Sequence, residues 1–118
     1  MRICIDIDGT ICTLRQAHET YQDVKPLTGA AERIKALKDR GFYIILCTAR
    51  HMKTCESNVG RVVAKEGLTL LEWLKKHGFV YDEIWFGKPY AQVYIDDRAL
   101  QFKGSWQHIE DHLINSYL

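Results

Sequence analysis

The sequence has only two prolines, no low-complexity run and no stretch dominated by glycine or serine. Nothing in it marks a flexible linker, and 118 residues suit one packed core, so a single domain over residues 1–118 is expected. Charge of one sign is equally scarce: 16 Lys and Arg against 15 Asp and Glu leave a net charge of +1. No global field recruits nucleic acid or an anionic membrane, and no dense basic stripe supplies a local one, so nucleic acid is not the expected partner. Long apolar runs are missing too; none approaches the ~20 residues of a membrane-spanning helix. The chain enters a strand pattern at once, without a leader-type segment. A soluble, cytoplasmic protein with no membrane partner is the expectation. The four cysteines, Cys4, Cys12, Cys47 and Cys55, include no CxxC pair. Cys4 and Cys47 lie inside strand-like runs, where thiols serve as small buried hydrophobes.

What is present is an alternation of strand and helix patterns. Ile3–Ile7 and Phe42–Cys47 are short and apolar, the pattern of strands covered on both faces. Ile84–Phe86 and Val93–Ile95 read as two further short strands. Ala30–Arg40 reads as a helix with Ala30, Ala31, Ile34 and Leu37 in one stripe, Thr28 as its cap and Gly41 as its stop. Leu68–His77 reads as a second, with Leu70, Leu71 and Leu74 inward and Gly78 ending it. Ser105 opens a third, in which Trp106, Ile109, Leu113 and Tyr117 share a face. His108 and His112 fall opposite that stripe, so their i, i+4 spacing describes solvent-facing histidines rather than a metal pair. Strands separated by helices imply an α/β sandwich with a parallel sheet and right-handed crossovers.

Each strand is followed by residues that carry chemistry. Asp6, Asp8, Gly9 and Thr10 come after the first, Thr48 and Arg50 after the second, Gly87 and Lys88 after the third, Asp96 and Asp97 after the fourth. Open parallel sheets bind ligands outside the carboxyl ends of their strands. Carboxylates gathered at one edge repel and need positive charge, which Lys88 and a hard divalent cation would supply; an all-oxygen donor set without clustered His or Cys suits Mg²⁺. Thr48 offers a hydroxyl, and Lys88 a point charge, for phosphate oxygens. Asp6 and Asp8, two residues apart, can share one substrate, one attacking and one moving protons.

The motifs "DIDGT", "CTAR", "GKP" and "YIDD", in that order from Arg2 to about Leu100, resemble the four motifs of the haloacid dehalogenase superfamily, and specifically its phosphatases. The resemblance implies a Rossmann-like three-layer sandwich with a mainly parallel sheet and a phosphomonoesterase that needs Mg²⁺. It implies Asp6 as the nucleophile that forms an aspartyl-phosphate and also binds Mg²⁺. Asp8 is implied as general acid and then base, with its backbone carbonyl on the metal. Thr48 and Lys88 are implied as phosphate-binding, and Asp96 as the remaining protein ligand of the metal, with Asp97 in support through water or from behind the ligands. An aspartate at position 8 distinguishes phosphatases from the superfamily's ATPases and dehalogenases. "TARHMKT", "NVG" and "WLKKHGFVYDEI" are similar to small members of the superfamily, some of them associated with surface-polysaccharide genes. The substrate expected on that basis is a small phosphorylated metabolite such as a sugar phosphate.

The segments Ile11–Leu27 and Met52–Trp85 leave no room for the cap domain that many relatives insert. Recognition must then come from loops, from a homo-oligomeric neighbour, or from a large substrate. Arg50–Arg61, directly after Thr48, is the specificity candidate, and Tyr90 after Lys88-Pro89 is the one aromatic placed near the edge. A phospho-acceptor receiver domain uses similar residues, but with its acidic pair first and its lysine last; here the order is reversed. Action on nucleic-acid ends is the alternative that an open site would admit.

Overall fold

A computed structural model describes residues 1–118. One sheet contains β1 (Arg2–Asp6), β2 (Tyr43–Thr48) and β3 (Glu83–Phe86), parallel and in that spatial order. The helices are α1 (Ala30–Asp39), α2 (Val59–Lys76) and α3 (Trp106–Tyr117). The α/β class and the parallel sheet are as the sequence predicts. No helix is long and apolar enough to cross a membrane.

Both crossovers, β1-α1-β2 and β2-α2-β3, step the same way along the sheet. Right-handed connections that step the same way put their helices on the same face. Burial follows this rule. Ile5, Ile44 and Leu46 join Ile34 and Leu37 of α1, Leu70, Trp73 and Leu74 of α2, and Trp106, Ile109 and Leu113 of α3 in one core. Along β2, Ile44, Leu46 and Thr48 are buried while Tyr43, Ile45 and Cys47 are only half-buried. The covering of both strand faces that the apolar runs led us to expect is therefore not provided. The other face carries Arg2, Cys4, Tyr43, Ile45, Cys47, Glu83 and Trp85, and Trp85 is 61% exposed. Cys4 and Cys47 point out on this face rather than into the core, with Cys4 exposed.

Two helix starts differ from expectation. Gly29, not Thr28, caps α1, in a left-handed conformation (φ 81°) and without a side-chain bond. Helix α2 begins at Val59, well before Leu68, because Asn58 accepts the Arg61 amide at 3.1 Å. Its buried stripe is Val62, Glu66, Leu70, Trp73 and Leu74, so Trp73 turns inward and Leu71 outward. Ser105 caps α3 as expected, accepting the His108 amide, whereas Tyr117 at the far end is exposed. Val93–Ile95 forms no strand; Val93 is 71% and Ile95 97% exposed, and the outer edge of β1 has no strand partner. Its apolar alternation alone does not hold a three-residue strand to an edge.

Candidate active site

β1 ends at Asp6, and the chain turns at once: the Ile7 carbonyl accepts the amides of Thr10 and Ile11, and Gly9 takes φ 83°. That turn separates the two acids. The Asp6 carboxylate meets Lys88 Nζ at 3.2 Å and the Thr10 hydroxyl at 3.3 Å. The Asp8 carboxylate accepts from the Thr48 hydroxyl at 3.1 Å and from Arg50 Nε at 3.0 and 3.2 Å. Parallel register explains the gathering, since Asp6 lies beside Cys47 and Thr48 beside Phe86, which puts all three strand ends at one edge. Gly87, at φ 97°, turns the chain so that Lys88 returns to that edge, its amide bonded to the Thr48 carbonyl.

The electrostatics of the two acids differ. Burial pushes the Asp6 carboxyl above its ordinary range, against the opposing pull of Lys88. Burial also works against the Lys88 charge, but Asp6 more than offsets it and raises the lysine. Arg50 is fully buried; desolvation opposes its charge, yet Asp8 and the other anions around it hold it protonated above its usual value. A buried guanidinium requires such partners. Arg50 has them on every side: Asp8, Glu66 Oε2 at 3.1 Å, Cys12 Sγ at 3.8 Å and the Tyr21 ring at 4.2 Å. Glu66 in turn bonds His51 Nε2 at 2.9 Å.

The structure thus brings Asp6, Asp8, Thr48 and Lys88 together as the motif order predicts. Thr48 is buried to 0% exposure, and its hydroxyl also accepts the Arg50 amide at 3.0 Å. Asp96 and Asp97 are not brought in: both lie in the exposed stretch beyond Tyr90, where Asp96 Oδ1 accepts the Arg98 amide. No group of three or more His, Cys, Asp or Glu side chains is placed to hold a metal ion. The donors at the β1 end are all oxygens, which suits Mg²⁺, but they do not by themselves complete a cage.

Arg50 and Glu66 are the residues that sequence reasoning placed wrongly or missed. Arg50 belongs to the floor of the site rather than to a specificity loop. Glu66 had a legible signal, an acid at i+4 from Val62 and i−4 from Leu70 on a buried stripe, but only once α2 is started at Asn58. From His51 to Ser57 the chain makes a compact series of turns held by buried Met52 and Cys55 packing on Val62, and Val59–Arg61 already belong to α2. His51, Glu56 and Ser57 are left-handed there (φ 59°, 50° and 63°).

A parallel α/β sheet with two carboxylates, a hydroxyl and a lysine at its carboxyl edge has the architecture of a Rossmann-like hydrolase. The chain belongs to the haloacid dehalogenase-like hydrolase family, whose model matches residues 3–72. It is similar to a protein of Vibrio cholerae of known crystal structure, at 31% identity and a TM-score of 0.77 over 94% of this chain and 97% of that one. Two structures of the Pnkp1/Rnl/Hen1 RNA repair complex align at 21% and 20% identity, each with a TM-score of 0.47, over 99% of this chain and 34% and 31% of theirs. No curated protein matches the chain.

Proposed function

We propose that the protein is a phosphomonoesterase that uses Asp6 as nucleophile and Asp8 as general acid and base. The observation that carries this reading is the separation of partners: Asp6 faces Lys88 and Thr10, while Asp8 is held by Arg50 and Thr48. Different partners let the two acids take different roles in a two-step displacement: the Lys88 charge favours the ionised, attacking form of Asp6 against its burial, and Asp8, paired with Arg50 at rest, has to carry a proton when it acts as acid. An Asp6 oxygen attacks phosphorus and the bond to the leaving oxygen breaks, the departing alkoxide taking the proton of the Asp8 acid. Asp8, now a carboxylate, takes a proton from water as that water attacks phosphorus. The Asp6–phosphorus bond breaks and inorganic phosphate leaves.

Lys88 and Thr48 are proposed to meet the phosphoryl oxygens, and Arg50 fixes the direction of the Asp8 carboxylate. Mg²⁺ is proposed as the cofactor, held by Asp6 and the Asp8 carbonyl with Asp96 and Asp97 drawn from the exposed stretch after Tyr90. When bound it would neutralise charge on the phosphoryl group and on Asp6. The substrate class is a small phosphorylated metabolite.

Hydrolysis of p-nitrophenyl phosphate with and without Mg²⁺ tests the reading. Asp6→Asn is expected to abolish turnover and Asp8→Asn to reduce it by about 10²–10⁴-fold. Undiminished turnover in Asp6→Asn would overturn the mechanism, and full activity in EDTA would remove the metal.

A further inference from the structure

Beside the acids lies a groove of about 780 Å³, which begins at Ala49 and His51, immediately after Thr48. Its size is that of a small-molecule site. Four parts of the chain converge on it: the turns after Thr48, the Ile11–Leu27 segment, the solvent side of α2, and Tyr90 beyond Lys88.

The groove is cationic although the chain is nearly neutral. Arg15, Lys53 and Lys65 line it, and none of the three is paired with a carboxylate. Of the two acids beside them, Glu66 is taken by Arg50 and His51, while Glu19 accepts the Gln16 amide and keeps its charge, so three cations share the groove with one free carboxylate. Two rings form its sides and orient the cations: Arg15 lies 5.4 Å from the Tyr21 centroid, and Lys53 Nζ 5.5 Å from that of Tyr90. Only 3 of 13 lining residues are hydrophobic, which disfavours an apolar ligand. Unpaired cations facing a polar cleft attract anions, and most strongly a ligand anchored there at its other end.

Resting on the phosphomonoesterase reading, we propose that the groove receives the leaving group of the substrate, and that this group carries a second anion, a carboxylate or a phosphate, bound by Lys53 and Lys65 with Arg15. The substrate class is thereby narrowed to small, doubly acidic phosphomonoesters. His51, left-handed at φ 59°, turns the chain between Thr48 and Lys53, and Lys53 lines the groove.

Matched pairs test this. Glycerol 3-phosphate against 3-phosphoglycerate reads a carboxylate, and glucose 1-phosphate against glucose 1,6-bisphosphate reads a phosphate. We expect kcat/KM to favour the doubly acidic member of at least one pair by about tenfold, and that ratio to fall roughly fivefold in Lys53→Ala and in Lys65→Ala. Lys35→Ala, on the exposed side of α1, serves as the charge control and should keep the ratio. A ratio near one in the wild type, or a ratio that neither groove variant alters, would overturn the proposal. So would faster hydrolysis of a 3′-phosphorylated tetranucleotide than of either doubly acidic compound, because it would assign the groove to a nucleic-acid strand. Calorimetric binding of the same pairs to Asp6→Asn gives the ratio without turnover. Absence of any hydrolysis with the binding preference intact would remove the enzymatic reading and leave the groove; turnover without a preference would do the reverse.

Discussion

At the residue scale, the least replaceable side chain apart from the two acids proposed to react is Arg50. Its guanidinium is wholly buried and joins Asp8 to Glu66. Removing it strands two carboxylates, one of them buried, so Arg50→Met is expected to cost about 3 kcal/mol in urea denaturation. It should also cost roughly 10²-fold in kcat, since Asp8 loses the group that aims it. The double variant Arg50→Met/Glu66→Gln should recover part of the stability and none of the rate, a split that separates positioning from mere folding. Asp6 shows the opposite trade. Its folded pKa is raised, chiefly by burial, so its ionisation disfavours the folded state. That penalty is absent below the ordinary aspartate range and fully present above the raised folded value. Asp6→Asn should therefore melt higher than the wild type at neutral pH, with the difference shrinking as pH falls through the aspartate range; scanning calorimetry across pH 3 to 8, a window set by the usual carboxylate range, reads it. A functional group held at the expense of stability is a familiar property of active sites. Asp6, Asp8, Thr48 and Lys88 were legible in the sequence because each sits at a strand end beside a turn residue. Arg50 as an anchor was not legible, since its burial depends on an acid in a helix sixteen positions further on.

At the element scale, the site depends on how α2 seats against the β3 turn. Gly87 has φ 97°, and a Cβ there would meet Val59 Cγ2 at 2.9 Å. The first residue of α2 thus sets the space through which the chain turns to deliver Lys88. Gly87→Ala adds both a left-handed conformation that a side chain disfavours and this overlap, and it should cost about 1–2 kcal/mol. Adding Val59→Ala relieves the overlap but not the backbone conformation, so denaturation should show partial recovery. Phosphatase kcat/KM should drop in the single variant because Lys88 is displaced from Asp6. The early start of α2 was hidden in the sequence by Gly60 and Gly67, which interrupt a helical pattern; only the Asn58 cap signalled it. The strand expected at Val93–Ile95 fails for the converse reason. Its apolar residues match a strand, but pairing is a long-range event that three residues of local pattern do not specify.

At the scale of the whole molecule, the sheet is covered on one face, and its other face is a chemical surface rather than a core. Arg2 bridges to Glu83 and lies over the Tyr43 ring, Trp85 donates to Glu83, and the Cys4 and Cys47 sulfurs are 3.5 Å apart. Short apolar strands in a parallel sheet suggested cover on both sides; the direction of the two crossovers, which no local pattern records, decided otherwise. The four thiols report this asymmetry. The hydrogen bond that Cys4 shares with Cys47, aided by the charge of Lys88, lowers Cys4 to about 7, while burial pushes Cys12 up to about 12. Thiolate fraction and access together control alkylation. In the native protein at pH 7.5, a value chosen near ordinary thiol-labelling conditions, iodoacetamide should modify Cys4 first and leave Cys12 and Cys55, both buried, until the chain is unfolded. Peptide mapping of a time course reads the order. Lys88→Met should slow Cys4 labelling, because it removes a charge that favours the thiolate and that also faces Asp6. Equal labelling of Cys4 and Cys12 in the native protein would mean that the outer face is covered in solution.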